Sequence, residues 1–381
     1  MPSHPPFNPI IAALPHVVPF VGPEALERAR GRPFRARLGA NESVFGPSPL
    51  AIAAMEKAAS ENWKYSDPEN HELRATLAAF HGVGLENVVV GEGIDGLLGL
   101  TCMMFLTPGE TVVTTEGAYP TFNFHVAAHG GSIVKVPMRD DREDLRALLD
   151  MARREKAKLL YVSNPNNPMG SWWDGAAIDE CIANLPPGTL LILDEAYCDT
   201  TPSPSDGEAV LRMDGEKGSR IDTSNPQVIR YRTFSKAYGL AGARIGYAMG
   251  ERHVIQTFEK VRNHYGINRV GQVGALVALQ DQAYLAEAVA RIARARTRIS
   301  EIARVNGLMP LASGANFVAI DCGRDGAFAK RVLDEMLARD VFVRKPAVAP
   351  QDRCIRVSCG RDEDLGVFAE ELPKALAVAR A

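Results

Sequence analysis

The sequence has few features of a disulfide-stabilised or metal-binding protein. Its six cysteines form no CxxC pair and no framework spacing; they are Cys102, Cys181, Cys198, Cys322, Cys354 and Cys359. We therefore expect free thiols in a reducing compartment. The eight histidines show no HExxH or comparable spacing, so no metal site is expected.

The chain also lacks an excess of basic charge and a long apolar run. Its net charge of −3 gives no reason to expect nucleic acid or an anionic membrane surface as a partner. No apolar run approaches the length of a membrane-spanning helix, and residues 1–20 are interrupted by prolines and lack the basic region of a signal peptide. A hydrophobic content of 46% is typical of a soluble globular protein. We expect a cytoplasmic location.

The order of short apolar runs and helical patterns predicts the fold class. From residue 87 to 233, β-branched runs alternate with helical segments, which indicates an α/β domain with a mainly parallel sheet flanked by helices. The last part of the chain mixes strands and helices as a smaller α+β domain does. We predict an N-terminal arm at 1–45 that joins the small domain, a large domain at 46–255 and a small domain at 256–381. The polar loop 200–224 is expected to be mobile.

A glycine-rich turn follows the first predicted strand of the large domain. Residues 91–96 read Gly-Glu-Gly-Ile-Asp-Gly, a literal GxGxxG, and Glu116 lies where a ribose-binding acid of a dinucleotide fold would stand. A dinucleotide-binding domain is therefore one alternative. The other is a site for a single phosphate monoester, because the free backbone N–H groups of Gly93, Ile94 and Asp95 at a helix N-terminus bind an anion equally well.

Polar residues end two further apolar strands. Asn167 lies in the segment Asn164–Gly170, where a simple Asn-Pro turn is the alternative to a ligand-binding amide. Asp194 ends the run Leu190–Leu193, and Tyr197 follows it; an aspartate that only caps a helix is the alternative here. The carboxyl ends of strands in an open α/β sheet are where ligands bind. A buried carboxylate there also requires a cation or a protonated nitrogen.

A lysine stands in the small-residue segment Thr233–Tyr247. Lys236 follows Ser235, and Arg244 lies further along the same segment. An amine in an apolar, glycine-rich setting can lose solvation and act as a nucleophile, whereas in isolation a solvated loop lysine is the simpler interpretation.

Taken together, these groups match an aldehyde cofactor that carries a pyridine nitrogen, a ring hydroxyl and a phosphate. Lys236 would bind the aldehyde covalently, and Asp194 would keep the ring nitrogen protonated so that the ring can accept electrons. Asn167 and Tyr197 would hold the ring oxygen. The turn at 93–95, with Ser235 and Arg244, would bind the phosphate. A dinucleotide enzyme has no use for this combination.

The motifs resemble those of the pyridoxal-phosphate-dependent aminotransferases of fold type I, class I/II, and most closely the histidinol-phosphate aminotransferase family. The resemblance covers nearly the whole chain and rests on the segments Leu38–Glu42, Asn164–Pro168, Asp194–Tyr197, Phe234–Tyr247, Ser313–Phe317 and Ile355–Gly360. It implies a seven-stranded sheet of the aspartate aminotransferase type, pyridoxal 5'-phosphate as cofactor and a homodimer with shared active sites.

The resemblance also implies roles for further residues. Tyr119 matches a tyrosine that stacks on the cofactor ring, and Tyr65 matches one that reaches the phosphate from the neighbouring subunit. Asn41 lies in the substrate-side loop of the family. Arg356 matches the arginine that binds the substrate α-carboxylate, a role suited to the guanidinium fork. Arg344 lies where histidinol-phosphate enzymes have an arginine for the substrate phosphate.

The implied activity is transamination between a small amino donor and 2-oxoglutarate, with Lys236 as the general acid and base. The implied pathway is amino-acid biosynthesis, specifically that of histidine. The chain departs from the family pattern around the substrate, for example at Phe45, where the family has tyrosine. An aminotransferase for aromatic or other amino acids and a phosphothreonine decarboxylase-like lyase are therefore alternatives. A regulatory domain without turnover would need a DNA-binding arm, and the proline-rich N-terminus has no basic helix.

Overall fold

The structure is a computed structural model that describes residues 5–16, 20–202 and 219–381. The strands are β1 (Ala36–Arg37), β2 (Val88–Glu92), β3 (Thr111–Thr115), β4 (Ser132–Val136), β5 (Leu159–Ser163), β6 (Leu190–Asp194), β7 (Val228–Thr233), β8 (Ile245–Gly250), β9 (Met309–Pro310), β10 (Phe317–Asp321), β11 (Val341–Phe342) and β12 (Cys354–Ser358).

The α-helices lie between and around these strands. They are α1 (Pro9–Ala13), α2 (Pro23–Arg30), α3 (Pro49–Ala59), α4 (His71–His81), α5 (Gly93–Phe105), α6 (Pro120–Ala128), α7 (Leu145–Arg154), α8 (Gly175–Ala183), α9 (Arg252–Thr257), α10 (Arg269–Gln280), α11 (Gln282–Val305), α12 (Gly326–Ala338) and α13 (Asp362–Arg380).

Within the described residues, a seven-stranded sheet in the order β2-β8-β7-β6-β5-β3-β4 forms the centre of the large domain. Strand β8 is antiparallel to both of its neighbours, and the other pairs are parallel. Strands β5, β6 and β7 are buried along their whole length, as expected for parallel strands covered by helices on both faces. The prediction of a mainly parallel seven-stranded α/β sheet is confirmed.

The small domain contains two short sheets. Strands β12, β10 and β9 form an antiparallel sheet, and β1 of the N-terminal arm pairs with β11 in parallel. Ala36 and Leu38 are buried in the same core as Val318, Ile355 and Phe368. The arm therefore contributes to the small-domain core, while α1 packs against α6 of the large domain.

The long helix α11 belongs to both cores. Leu285 and Val289 near its start pack in the core formed by α3, α4, α10, β2 and β8, whereas Ile292 and Ile299 pack in the small-domain core. Because α10 also lies entirely on the large-domain side, we propose a domain boundary inside α11 rather than at residue 256. The expectation of mobility for loop 200–224 concerns mainly residues 203–218, which lie outside the described residues.

The sequence predicts neither a metal site nor a membrane-spanning helix. Over the described ranges, no cluster of three or more His, Cys, Asp or Glu side chains is arranged to hold a metal ion. No described helix is both long and apolar enough to span a membrane.

Candidate active site

The carboxyl ends of the central parallel strands bring the predicted polar residues to one edge of the sheet. Ser163 at the end of β5 pairs with Asp194 at the end of β6, and Asp194 pairs with Tyr231 of β7. Lys236 follows the end of β7 by three residues. Because parallel neighbours end at the same side, residues far apart in sequence become adjacent here.

Lys236 lies between the two domains. Its Nζ donates to the main-chain carbonyl of Asn41 at 3.2 Å and lies 5.4 Å from the centroid of the Tyr197 ring. The Asn41 side-chain amide in turn donates to the Tyr197 hydroxyl at 3.1 Å. The structure thus brings these three predicted residues together around the amine.

Asp194 is a buried carboxyl whose hydrogen-bond donors are neutral. Its Oδ2 accepts from the Tyr161 hydroxyl at 2.7 Å, and its Oδ1 accepts from the N–H of Ala196 at 3.0 Å. Burial raises the pKa of Asp194 to about 6, although both hydrogen bonds lower it. A buried carboxyl with this environment favours an additional positively charged partner, as a protonated ring nitrogen would be.

The first turn of α5 lies against the guanidinium of Arg244. Gly93 has φ +71°, and a Cβ there would lie 2.3 Å from Nη2 of Arg244, so only glycine leaves this space open. The N–H groups of Gly93, Ile94 and Asp95 have no partner within the helix. Ser235, which is buried, accepts from the Thr233 hydroxyl at 2.9 Å. These donors match the phosphate of the implied cofactor.

Another glycine of the GxGxxG match has a packing role. A Cβ at Gly91 would lie 2.5 Å from the side chain of Leu97 in α5. The match thus reflects close packing of β2 against α5 as well as the predicted anion site at the first turn of α5.

Arg356 and Arg344 stand opposite each other in a backbone bridge. Their backbones exchange hydrogen bonds in an antiparallel bridge, which directs the two side chains to the same face. Arg356 donates to Oδ1 of Asn167 at 2.6 Å and to the carbonyl of Gly39 at 3.0 Å. Burial lowers the pKa of Arg356 to about 10, and repulsion by Arg344 adds to this effect.

Arg344 is held by the N-terminal arm. Its guanidinium donates to the carbonyl of Val21 and lies 4.0 Å from the ring centroid of Phe20. Burial lowers the pKa of Arg344 as well. Within the described part of the chain, no ion pair joins a carboxylate to Arg344 or Arg356, so this pair of cations favours an anionic ligand.

The remaining two predicted cofactor residues differ in placement. The Tyr119 hydroxyl donates to the Asp95 carboxylate at 2.8 Å, and burial raises the pKa of this phenol. Tyr119 is therefore fixed beside the first turn of α5. Tyr65 is 78% exposed; its ring centroid lies 4.7 Å from that of Tyr265 with the rings tilted by 41°, and its carbonyl accepts from Arg269. The fold of one chain does not bring Tyr65 to Lys236 in any described contact.

Sequence reasoning missed four polar residues that support the site. The Tyr161 hydroxyl donates a hydrogen bond to Asp194, and the Asn316 side chain donates to the Asn41 carbonyl at 3.0 Å. The Ser358 hydroxyl, in β12, donates to the Asn41 side chain. Glu143 accepts from the side-chain amide of Asn166 at 2.7 Å. The only available signal was a polar residue within or at the end of a mainly apolar strand, as at Tyr161 and Ser358, and this does not identify its partner.

Glu143 predicts a specific pH dependence of stability. Burial raises its pKa to about 8, against hydrogen bonds from Asn166 and the Ser163 N–H that lower it. Because the folded pKa lies above the unfolded value near 4.3, the folded protein keeps a proton that the unfolded chain loses. The contribution of protonated Glu143 to the free energy of unfolding is complete below the unfolded pKa and is lost as the pH rises towards 8. Between pH 6 and 8 the loss should be on the order of 2 kcal/mol.

The measurement is urea unfolding of the wild-type protein and Glu143→Gln at pH 6 and pH 8. The difference in free energy of unfolding between the two proteins should shift in favour of the glutamine variant at pH 8. Comparing variants cancels the titration of other buried groups such as Asp199, whose pKa burial raises to about 6. An equal pH dependence in both proteins would contradict the assignment to Glu143.

Comparison with known proteins shows the same arrangement of motifs elsewhere. The sequence pattern of the family described as "Aminotransferase class I and II" matches residues 36–372. The histidinol-phosphate aminotransferase of Moorella thermoacetica is 31% identical over 354 residues, which are 93% of this chain and 89% of that protein. The histidinol-phosphate aminotransferase of an Anaeromyxobacter species is 33% identical and covers 92% of this chain and 94% of its own length.

Solved structures extend the comparison. The crystal structure of histidinol-phosphate aminotransferase from Sinorhizobium meliloti in complex with pyridoxal-5'-phosphate is 48% identical, with a TM-score of 0.93 over 99% of both chains. The aspartate aminotransferase from Rhizobium meliloti is 20% identical and has a TM-score of 0.77 over 93% of this chain and 94% of that chain. At that identity the second likeness concerns the fold alone.

Proposed function

The chain belongs to the class I and II aminotransferases, and we propose that it transfers the amino group of histidinol phosphate to 2-oxoglutarate with pyridoxal 5'-phosphate as its cofactor. The family match confirms the enzyme class that the motifs indicated. It also excludes the dinucleotide oxidoreductase that the GxGxxG match left open. The names of the relatives above support the choice of donor.

The observation that carries this proposal is the adjacent pair Arg344 and Arg356. Two partly buried guanidinium groups that have no carboxylate partner among the described residues favour a ligand with concentrated negative charge. 2-Oxoglutarate carries two carboxylates, and histidinol phosphate carries a phosphate, so one pair of arginines can serve both half-reactions. An aromatic amino acid has a single anionic group and would leave one guanidinium unpaired.

The residues present fit the cofactor. The first turn of α5, Ser235 and Arg244 would hold its phosphate, Asp194 its ring nitrogen, and Asn167 and Tyr197 its ring oxygen, with Tyr119 against the ring. When bound, pyridoxal phosphate supplies an electron sink for the carbon that loses a proton.

Lys236 acts on the proton of the donor. Its amine lies 3.2 Å from the Asn41 carbonyl. It would take the proton from the donor's amine-bearing carbon and give that proton back as the amino group is transferred. Arg356 and Arg344 bind the anionic groups and so orient that carbon towards Lys236. Tyr197 and Asn41 limit the positions that the amine can occupy.

An amino-donor panel tests the proposed substrate. Purified holoenzyme is assayed with 2-oxoglutarate and each of histidinol phosphate, phenylalanine, tyrosine, aspartate and phosphothreonine, and glutamate formation is measured. We expect the highest kcat/KM with histidinol phosphate. A preference for an aromatic amino acid would select the alternative aminotransferase, and carbon dioxide release without a keto acid would select the lyase.

We also propose that the protein is a homodimer in which Tyr65 completes the partner's site. Three exposed aromatic side chains support an interface at this surface: Tyr65, the Tyr265 ring that it contacts, and Trp63 two positions earlier in the sequence. The location we propose is the cytoplasm, in agreement with six free thiols. Activity confined to a membrane or periplasmic fraction of cells would contradict that location.

A mixing experiment tests the shared site. Lys236→Ala and Tyr65→Ala are each expected to have little activity as pure proteins. After subunit exchange, a mixed dimer would contain one site with both Lys236 and Tyr65 intact, so activity should return. Glutamate formation is measured before and after mixing, with light scattering to confirm dimers. No recovery in a sample shown to contain mixed dimers would rule out a Tyr65 contribution across the interface.

A further inference from the structure

Asn41 is the residue through which the small domain contacts the amine of Lys236. It is 2% exposed and has φ 57°, a left-handed conformation that asparagine tolerates better than most residues. Its carbonyl accepts from Lys236 at 3.2 Å and from the side chain of Asn316 at 3.0 Å. Its side-chain amide donates to Tyr197. The orientation of Asn41 thus sets two contacts in the active site.

Ser358 forms hydrogen bonds with the backbone N–H and the side-chain Oδ1 of Asn41. Its buried hydroxyl accepts from the Asn41 N–H at 3.0 Å and donates to the Asn41 side-chain Oδ1 at 2.8 Å. With Oδ1 engaged by a hydroxyl, the Nδ2 of the same amide is directed at Tyr197. Within the described residues, no other side chain forms a hydrogen bond with the N–H or Oδ1 of Asn41.

The same strand carries the anion-binding arginine. Ser358 and Arg356 are two residues apart in β12, so their side chains lie on the same face of the strand. Two hydrogen bonds hold the residues just before Asn41 independently of the serine hydroxyl. The Ser358 N–H donates to the Leu38 carbonyl, and Arg356 donates to the Gly39 carbonyl. Loss of the hydroxyl would therefore release Asn41 without displacing Arg356.

We propose that Ser358 is a positioning residue that acts through Asn41 to orient the Lys236 amine and the Tyr197 hydroxyl for the amino transfer. The inference rests on the proposed function in assigning the amine to the reaction. Without the hydroxyl, the N–H and Oδ1 of Asn41 lose their partner, and only the hydrogen bond to Tyr197 is left to orient the amide. A misplacement of about 1 Å at a reacting group costs about a hundredfold in rate.

The test compares Ser358→Ala with two other variants of the holoenzyme. Ser358→Thr keeps the hydroxyl. Cys359→Ala is the matched control, since Cys359 is the next residue, is buried, and directs its Sγ at the Ile292 carbonyl instead of Asn41. We expect Ser358→Ala to lower kcat by about ten- to a hundredfold while the KM for 2-oxoglutarate changes less than about threefold. Cys359→Ala should match the wild type, and Ser358→Thr should retain most of the rate.

Two further readouts keep the test decisive if threonine does not fit. The visible circular dichroism of the bound cofactor should change in Ser358→Ala and not in Cys359→Ala, because it reports the groups around the ring. In a double-mutant cycle with Asn316→Ala, the combined loss in kcat should be smaller than the product of the single losses, since both act on Asn41. Wild-type kcat and dichroism in folded Ser358→Ala would overturn the inference, as would multiplicative losses.

The outcome also separates this inference from the proposed function. If the wild-type holoenzyme does not accept histidinol phosphate, the proposed function fails, and the kinetic comparison is made with the best donor of the panel. The circular dichroism comparison does not depend on the donor. It therefore decides the role of Ser358 in either case.

Discussion

Replacing Lys236 by alanine is expected to lower kcat for amino transfer by about four orders of magnitude or more, because we propose that this residue supplies both a nucleophile and the proton-transfer group. Its amine donates to the Asn41 carbonyl and lies over the Tyr197 ring. Within the described residues no other lysine contacts Asn41 or Tyr197, so no second lysine is placed to replace it. Glutamate formation from the best donor is the measurement, with cofactor content determined in parallel.

The matched control for this change is Lys345→Ala. Lys345 is also partly buried, but its Nζ donates to the carbonyl of Pro346 and lies 3.9 Å from Asp352, away from Asn41. This variant should keep a near-normal rate. Addition of a small exogenous amine to Lys236→Ala should restore part of the rate, since an amine in the vacated space can move the proton. Full activity in Lys236→Ala would remove the basis of the assigned chemistry.

Replacing Asp194 by asparagine is expected to lower kcat by about two to four orders of magnitude. The carboxylate is buried, and its two donors, Tyr161 and the Ala196 N–H, are neutral, so it can bind one further positive group strongly. Asparagine keeps the size and can keep the Tyr161 hydrogen bond, but it carries no charge to hold a proton on a ring nitrogen. Electrostatic terms of this kind contribute about a hundred- to a thousandfold in enzyme sites, and loss of the electron sink adds to this.

Asp199→Asn is a suitable comparison for this variant. Asp199 is as buried as Asp194, and burial raises its pKa to about 6 as well, but its nearest charges are Arg232 and Glu195. If charge opposite the cofactor ring is the cause, only Asp194→Asn should lose kcat, whereas both variants can lose stability. Similar kinetic losses in the two variants would show that burial of a carboxyl, and not its position, is responsible.

The strand-end residues were predictable because the fold class itself determines where they meet. Apolar runs at Leu159–Ser163 and Leu190–Asp194 are long enough for strands and too far apart for hairpins, so they pair in parallel and end together. Asp194 is the last residue of one such run, and Asn167 and Lys236 lie shortly after the ends of β5 and β7. Their proximity therefore results from topology, and local sequence contained the information for it.

The supporting residues could not be predicted in this way, since their contacts cross between domains. Ser358 and Asn41 are 317 positions apart, and Asn316 and Asn41 are 275 apart. Nothing in the local pattern of β12 shows which of its polar side chains faces the arm. The domain boundary that we propose inside α11 was unpredictable for a related reason, because the single amphipathic pattern of this helix continues through both cores.

The amino-acid sequence by itself determined the α/β class, the enzyme family and the residue types at the strand ends, since periodicity and short motifs are local properties. Only the tertiary structure decided that Asn41 links Lys236 to Ser358. The same holds for the backbone pairing of Arg344 with Arg356, neither of which forms an ion pair with a carboxylate of the described residues, and for the exposure of Tyr65. Those features depend on how the small domain, the arm and the central sheet pack together. Packing brings distant residues within hydrogen-bond distance, and no local pattern specifies which ones.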